Sequence, residues 1–183
     1  INRFKCRSVY PGQNERVGED CWMSRSDVPK VTSIRIHLAL SPFPEEENRT
    51  FDVGQAYTLA ELEERVPAND RRYVKFNEQV SPRDPQTGRP QLYRVTRGIY
   101  GMKAAGRQWQ LLFFGWMGQL GFTQSVFDPA MFFFPRTAPR DRQIRIAIWV
   151  DDVVARGTPQ AMAWFREAMT ERFGDIKEGP LHW

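Results

Sequence analysis

The sequence predicts an α+β fold in which helices cover one face of an antiparallel sheet. Two segments, residues 102–120 and 158–173, carry apolar residues at helical spacing. Shorter segments of alternating or continuously apolar residues lie before and between them, as is typical of strands. The elements follow in the order helix, strand, helix, strand, hairpin, helix, without βαβ regularity or a long repeat. An antiparallel sheet with helices packed on it fits that order best.

Composition sets broad limits on domain count and partners. A chain of 183 residues can form one domain with a hydrophobic core, or one domain with a smaller lobe attached. The formal net charge of +4 favours anionic partners. Cys6 and Cys21 lack the spacing of a zinc site and are too few for a disulfide framework. The cysteine content therefore favours a reduced, intracellular protein. No apolar run is long enough to cross a membrane, so we expect no membrane partner. Because the chain starts without Met and stops without a polar tail, we also expect it to be a piece of a longer protein.

The first half of the chain alternates short elements with turns. Residues 1–30 mix basic and apolar residues with glycines and a proline, which favours short strands and turns. In residues 32–40, the hydroxyl of Thr32 precedes apolar residues and predicts a short, capped helix. His37 lies in this helix, either as a surface or hydrogen-bonded residue or as a ligand. The segments that follow predict a loop over 42–47, a strand over 49–57 ending near Gly54, a helical turn over 59–65, a short strand over 73–76 and an exposed loop over 81–90.

The second half holds the two longer predicted helices. Residues 102–120 predict the main helix, with Gly121 placed to end it. Its aromatic stripe is either part of the core, the commoner use, or a platform for base stacking. The remaining elements are a strand over 130–134, a basic turn over 136–142 and a helix that Thr158 caps, Pro159 begins and Gly174 ends.

Residues 144–155, IRIAIWVDDVVA, predict a strand, a tight acidic turn and a returning strand. Successive strand side chains point to opposite faces, so only one of Asp151 and Asp152 need bind an ion unless the turn reorients the other. Asp52, on another predicted strand, is the natural second ligand. Mg²⁺ commonly takes one or two protein carboxylates, and two ions about 4 Å apart support phosphoryl transfer. The simpler alternative is that Asp-Asp only favours a turn, but the flanking apolar strands favour a site.

Several motifs, in this order along the chain, resemble those of copia-type LTR retrotransposon reverse transcriptases. FDVGQAY at 51–57 resembles motif A, RGIYGMKAAGRQWQLLFF at 97–114 resembles motif B, and WVDD at 149–152 resembles motif C. LGF at 120–122 and DP at 128–129 are similar to two further landmarks of the family. Each motif alone is weak, but together they are specific, and the resemblance covers nearly the whole chain.

The resemblance implies a fragment of an RNA-directed DNA polymerase, with a right-hand palm and part of the fingers. It implies two Mg²⁺ or Mn²⁺ ions as cofactors, and an RNA or DNA template-primer and a dNTP as partners. The remainder of a Pol polyprotein, with thumb, RNase H and integrase, would be a further partner, in a cytoplasmic particle. The implied regions are partial fingers and the first helix at 1–44, palm with motif A at 45–59, a fingers insertion at 60–101, and palm with motifs B and C at 102–183, with thumb and RNase H absent.

The resemblance also implies roles for individual residues. Asp52, Asp151 and Asp152 would be catalytic, with Asp52 and Asp151 holding the metal ions. Tyr57 would lie under the incoming sugar, where a bulky ring rejects a ribonucleotide 2′-OH. Lys5 and Arg7 would grip the triphosphate, the alternative being a solvated strand face. The other residues implied by the resemblance are Val53, Gly101 and Lys103 at the nucleotide, and Trp149 and Val150 next to the primer.

The sequence departs from the family's motifs at several positions. Trp149 stands where the family usually has Tyr, Gly106 replaces a usual Pro, and TLAEL at 58–62 lacks the usual Asn-Gly turn. Trp149 could crowd the primer end. These departures support an alternative function, a catalytically inactive retrotransposon relic that keeps the palm fold and weak, salt-sensitive nucleic-acid binding. An unrelated metal-dependent phosphohydrolase would need further carboxylate or histidine ligands, which we do not find in the sequence.

Overall fold

The structure is a computed structural model that describes residues 9–15, 25–40, 44–62, 73–75, 82–134 and 137–181. Within these ranges the helices are α1 (Val31–Ala39), α2 (Ala56–Leu59), α3 (Ala105–Gln119) and α4 (Pro159–Phe173), with 3-10 turns at Gly12–Asn14 and Arg140–Arg142. The strands are β1 (Glu47–Val53), β2 (Tyr73–Val74), β3 (Tyr93–Arg94), β4 (Thr123–Gln124), β5 (Met131–Phe133), β6 (Ile144–Trp149), β7 (Asp152–Gly157) and β8 (Ile176–Pro180).

Six strands form one sheet in the order β4-β5-β6-β7-β1-β8, and β2 pairs with β3 separately. All the neighbouring strands are antiparallel. The predicted α+β class is confirmed, because helices and an antiparallel sheet make up one mixed fold. β1 lies between β7 and β8, so the strand that carries Asp52 is next to the acidic hairpin.

The two long helices build the core against one face of the sheet. In α3, Trp109, Phe113 and Met117 recur every four residues and are buried. In α4, Phe165, Met169 and Phe173 are buried at the same spacing. The helices meet where the rings of Phe113 and Phe173 stack with their centroids 5.3 Å apart. The aromatic stripe of α3 is therefore core.

The opposite face of the sheet carries a buried charged cluster that joins it to α1. Arg145 and Arg156 are cross-strand partners in β6 and β7 and alternate with the core-facing residues. Arg145 donates to the Leu40 carbonyl at 2.7 Å, and Arg156 donates to the Leu38 carbonyl. Both guanidinium groups also contact the Glu46 carboxylate, at 2.8 and 3.2 Å. The C-terminal end of α1 is thereby fixed to the sheet.

The start of α1 differs from the sequence prediction. The helix was expected from residue 32 with Thr32 as its cap, but it begins at Val31, and the N-cap residue Lys30 makes no side-chain capping bond. Instead, the Lys30 amide donates to the carboxylate of Asp128 at 2.8 Å. Asp128, the acidic residue of the DP landmark, is buried and ties the start of α1 to the loop before β5.

Several other predicted elements are confirmed. Thr158 caps α4 by accepting from the Ala161 amide at 3.2 Å, with Pro159 in the first turn. Gly121 follows α3 with a φ of +93°, a left-handed conformation suited to glycine. The predicted strands are present as β1, β2 and β5, and the hairpin as β6 and β7. The loop over 82–90 contains an Asx turn in which Asp84 accepts from the amides of residues 86 and 87.

The helical turn predicted over 59–65 is wrong for the residues that are described. The short helix α2 ends at Leu59, and Glu61 forms an isolated β-bridge with Arg97. Gln55, in the left-handed region with a φ of +57°, lets the chain turn from β1 directly into α2. The predicted elements over residues 1–8, 16–24 and 63–65 lie outside the described residues.

Candidate functional site

A two-residue turn connects β6 to β7. Trp149 and Asp152 are the last cross-strand pair, which leaves Val150 and Asp151 as the connection. Val150 has a φ of +60°, whereas Asp151 does not have a positive φ. Hairpins with a positive φ at the first turn position normally place glycine there. A β-branched residue in this conformation costs on the order of 1–3 kcal/mol and persists only where surrounding contacts hold it.

Two contacts hold this strained turn. The indole Nε1–H of Trp109, on α3, donates to the Val150 carbonyl at 2.7 Å. The amide of Val53, at the end of β1, donates to the Asp151 carbonyl at 3.4 Å, which is long for such a bond. The turn that carries Asp151 is therefore connected to both a core helix and the neighbouring strand.

Strand register brings the acidic residues of two strands together. Asp52 is the direct cross-strand partner of Asp152, and on its other side it is the partner of Lys177. Direct antiparallel partners project to the same face of a sheet, so these side chains form a row on the face opposite the core. The Lys177 ammonium lies 3.1 Å from an oxygen of Asp52. Lys177 was not predicted from the sequence, because the pairing of β8 with β1 depends on contacts far apart in the chain.

The electrostatics of the site show that its groups lie close enough to interact. Burial raises the pKa of Asp152, and the negative charges of Asp151 and Asp52 raise it further. Burial also raises the pKa of Tyr57, with smaller contributions from Asp151 and Tyr100. The structure therefore gathers the predicted residues Asp52, Asp151, Asp152 and Tyr57 around the hairpin turn.

Tyr57, in α2, lies against motif B. Its ring meets that of Tyr100 edge-on, with the centroids 4.9 Å apart. A Cβ added at Gly106 would lie 3.8 Å from the Tyr57 ring and 3.1 Å from the Ser26 hydroxyl. A Cβ added at Gly98 would lie 2.6 Å from the Tyr57 carbonyl, closer than real contacts allow. The position of Tyr57 thus depends on a small residue at 98.

Residues 9–15 pack closely on the residues predicted to line the nucleotide pocket. A Cβ added at Gly101 would lie 2.2 Å from the Tyr10 carbonyl, and Gly101 has a φ of +92°. The backbone amide of Lys103 donates to the Glu15 carboxylate at 2.7 Å, and its ammonium donates to the Glu15 carbonyl. The backbone amide and the ammonium group of Lys103 are therefore both hydrogen-bonded within the protein, whereas Gly101 is exposed.

The other predicted site residues differ in their accessibility. Trp149 is 47% exposed at the end of β6, next to Asp152. Val150 packs partly against the core, and the side chain of Val53 is only 1% exposed. Lys5 and Arg7 lie outside the described residues.

The donor chemistry of this cluster suits a hard divalent cation, because carboxylate oxygens are the ligands that Mg²⁺ prefers. In the described part of the chain, however, no group of three or more His, Cys, Asp or Glu side chains converges as a complete ion site. A pair of carboxylates is enough for Mg²⁺ when water and phosphate complete its shell. Nor does any helix in that part combine the length and hydropathy that a membrane crossing requires.

The fold and the site together define an α+β domain with an acidic cluster where the neighbouring strands β1 and β7 meet at the hairpin turn. The family model described as reverse transcriptase (RNA-dependent DNA polymerase) matches residues 1–180. The chain therefore belongs to the reverse transcriptase family.

The curated relatives are plant transposon polyproteins. The retrovirus-related Pol polyprotein from transposon RE2 of Arabidopsis thaliana is 29% identical over 185 aligned positions, which take in 100% of this chain and 12% of that polyprotein. The corresponding polyprotein from transposon TNT 1-94 of Nicotiana tabacum is 26% identical over 179 positions, or 97% of this chain and 13% of its own length. The resemblance to copia-type retrotransposon polymerases is thus confirmed, and the chain spans only about an eighth of these relatives.

Proposed function

We propose that this chain forms the nucleotidyl-transfer centre of an RNA-directed DNA polymerase, within a longer Pol polyprotein. The observation that carries the proposal is the register that sets Asp52 opposite Asp152, with Asp151 on the adjoining turn. Family membership and the Pol polyprotein relatives support the same activity. In this proposal, the six-stranded sheet with α3 and α4 is the polymerase palm, and residues 1–44 and 60–101 belong to the fingers.

Asp52 and Asp151 are the proposed ligands of two Mg²⁺ or Mn²⁺ ions. When bound, two such ions activate the attacking oxygen and stabilise the leaving oxygen of an in-line phosphoryl displacement. Asp152 contributes a third negative charge beside them and interacts with both other carboxylates. Lys177 balances part of this charge by its ion pair with Asp52.

The remaining residues are proposed to bind the nucleotide and the primer end. Tyr57, whose ring packs against that of Tyr100, is proposed to contact the sugar of a nucleotide held at the carboxylates. Trp149 is the exposed aromatic residue beside Asp152, where a primer terminus would approach. Lys5 and Arg7 are proposed to contact the triphosphate. The proposed lining of the surrounding nucleotide pocket is Val53, Gly101 and Lys103. Val150 is proposed to lie beside Trp149 at the primer.

Metal binding by the chain itself tests the first part of this proposal. We expect Mn²⁺ titrated into the wild-type chain and followed by electron paramagnetic resonance to bind, and Asp52→Asn and Asp151→Asn to lose most of that affinity. Glu171→Gln is the matched control, since it removes one exposed carboxylate from α4. Equal loss of affinity in the control would show that binding reflects overall charge rather than this site.

Primer extension with Mg²⁺ or Mn²⁺ tests the second part. We expect dNTP incorporation on an RNA or DNA template that Asp151→Asn abolishes. Incorporation that survives Asp151→Asn would overturn the assignment of the site. Salt-sensitive binding of the template-primer without incorporation, also when thumb and RNase H regions are supplied from a relative, would instead support the inactive relic.

A further inference from the structure

Trp109 makes a contact that its place in the core does not require. Its side chain is 1% exposed, and its ring packs against Phe113 and Phe173 with centroids 5.3 and 5.2 Å away. Packing of this kind needs only an aromatic ring. The indole nevertheless directs its N–H out of the ring cluster to the carbonyl of Val150, at 2.7 Å.

This carbonyl belongs to the strained residue of the acidic turn. At a φ of +60°, Val150 has a backbone conformation that its β-branched side chain disfavours, so the turn needs external contacts to keep its shape. The other hydrogen bond that described residues make to the turn carbonyls, from the Val53 amide to the Asp151 carbonyl, is long at 3.4 Å. The indole bond is shorter, and it comes from a helix that is packed on the core.

We propose that Trp109 is a positioning residue: its indole N–H fixes the Val150–Asp151 turn and thereby the Asp151 carboxylate relative to Asp52. The inference rests on the proposed function for its consequence, because the position of Asp151 matters when the two carboxylates share a ligand. The structural part, that one indole proton holds a strained turn in place, is independent of what the site binds.

The variant that tests the inference is Trp109→Phe, which keeps an aromatic ring and removes the N–H. The matched control is Trp116→Phe, in the same helix, whose ring packs against the same Phe113 and Phe173. Both variants lose an indole from one cluster, two helical turns apart. Val150→Gly is the rescue variant, because glycine adopts the turn conformation without strain.

Two measurements are made on each variant. The first is hydrogen exchange of the Val53 amide, which reports the contact between β1 and the turn without any metal. We expect Trp109→Phe to speed this exchange at least 10-fold and Trp116→Phe to leave it near the wild-type rate. The second is Mn²⁺ affinity, which we expect to fall about fivefold in Trp109→Phe only. In the Val150→Gly background, Trp109→Phe should change either quantity by less than twofold.

The outcomes separate this inference from the proposed function. Equal acceleration of Val53 exchange in both Phe variants would overturn the positioning role, since loss of core volume would then explain it. So would an unchanged exchange rate in Trp109→Phe. If the wild-type chain binds no Mn²⁺, the proposed function fails, while the exchange rates still decide whether Trp109 holds the turn.

Discussion

Lys177 brings a positive charge to the acidic site. Its ammonium pairs with Asp52 at 3.1 Å, and it lies in the same cross-strand row as Asp152. A cation at that distance competes electrostatically with a divalent ion for the same carboxylate. Because both side chains are substantially exposed, at 67% and 43%, solvent screening keeps the effect small.

We therefore predict that Lys177→Met strengthens Mn²⁺ binding by roughly twofold to fivefold, which corresponds to about 0.4–1 kcal/mol. Titration calorimetry at low ionic strength would measure it, and the gain should shrink in high salt. Lys75→Met, which removes a cation beside the separate β2–β3 pair, is the control. Weaker binding in Lys177→Met would show that Lys177 supports the site rather than competing for it.

His37 predicts how stability depends on pH. The side chain is 4% exposed, and neither ring nitrogen has a hydrogen-bond partner among the described residues. Burial, together with the smaller effect of the positive charges of Arg145 and Arg156, lowers the pKa of His37 from 6.5 to about 4. The folded state therefore holds the neutral imidazole, while the unfolded chain takes up a proton below pH 6.5.

The contribution of His37 to stability is thus complete above pH 6.5 and is lost as the pH falls from 6.5 towards 4. The lost free energy of unfolding reaches about 3 kcal/mol across that window. Urea unfolding at pH 7.5, 6 and 5 would measure it, and in His37→Leu we expect this part of the pH dependence to disappear. An identical pH dependence in the variant would assign the loss to other groups.

At the scale of elements, the attachment of α1 to the sheet rests on a buried ion cluster. The Glu46 side chain is 4% exposed and contacts both Arg145 and Arg156, which cap the last carbonyls of the helix. Breaking a buried ion pair by removing one partner is strongly destabilising, because the remaining charge stays buried and uncompensated.

We predict that Glu46→Gln lowers the free energy of unfolding by about 3 kcal/mol. The adjacent Glu45 is a matched control, since it pairs with Arg140 where both side chains are well exposed, at 39% and 62%. Glu45→Gln should cost less than about 1 kcal/mol. Denaturant unfolding of both variants at pH 7.5 gives the comparison, and equal losses would contradict the role assigned to the buried cluster.

The elements also show which parts of the fold the sequence could predict. The hairpin and α4 were predicted because their signals are local: alternation for β6 and β7, and a capping Thr158 with Pro159 for the helix. The predicted start of α1 was wrong because its N-cap residue, Lys30, is held by Asp128, about 100 residues away in the chain.

The same reasoning applies to the site. Asp52 and the two hairpin acids were predicted from strand endings and motif order; in the structure Asp52 is the direct cross-strand partner of Asp152, and Asp151 lies on the adjoining turn. The place of Lys177 and the hydrogen bond from Trp109 to the turn could not be predicted, because both depend on contacts between elements far apart in the chain. Local sequence patterns do not reveal the order of strands in a sheet, and this order decides which residues lie next to Asp52.

At the scale of the whole molecule, the sheet order makes the acidic site a junction between distant parts of the chain. β1 and the β6–β7 hairpin are separated by about 90 residues, and Asp52 and Asp151 lie at the point where they meet. The negative charges of Asp151 and Asp52 act unfavourably on the Asp152 carboxylate, and this repulsion disfavours the folded state. An ion that binds only the folded state would offset this repulsion and stabilise the entire domain.

We therefore predict that Mn²⁺ at 100 times its dissociation constant raises the free energy of unfolding by about 2.7 kcal/mol. Without metal, Asp152→Asn should unfold at a higher temperature than wild type, and its free energy of unfolding should be larger by less than about 1 kcal/mol because the group is partly exposed. Asp52→Asn should show almost no stabilisation by Mn²⁺, since it lacks one proposed ligand. Thermal unfolding with and without metal, at ionic strength matched with NaCl, measures both effects. Equal stabilisation of Asp52→Asn and wild type by Mn²⁺ would show that the ion binds elsewhere on the molecule and that the acidic site is not its binding site.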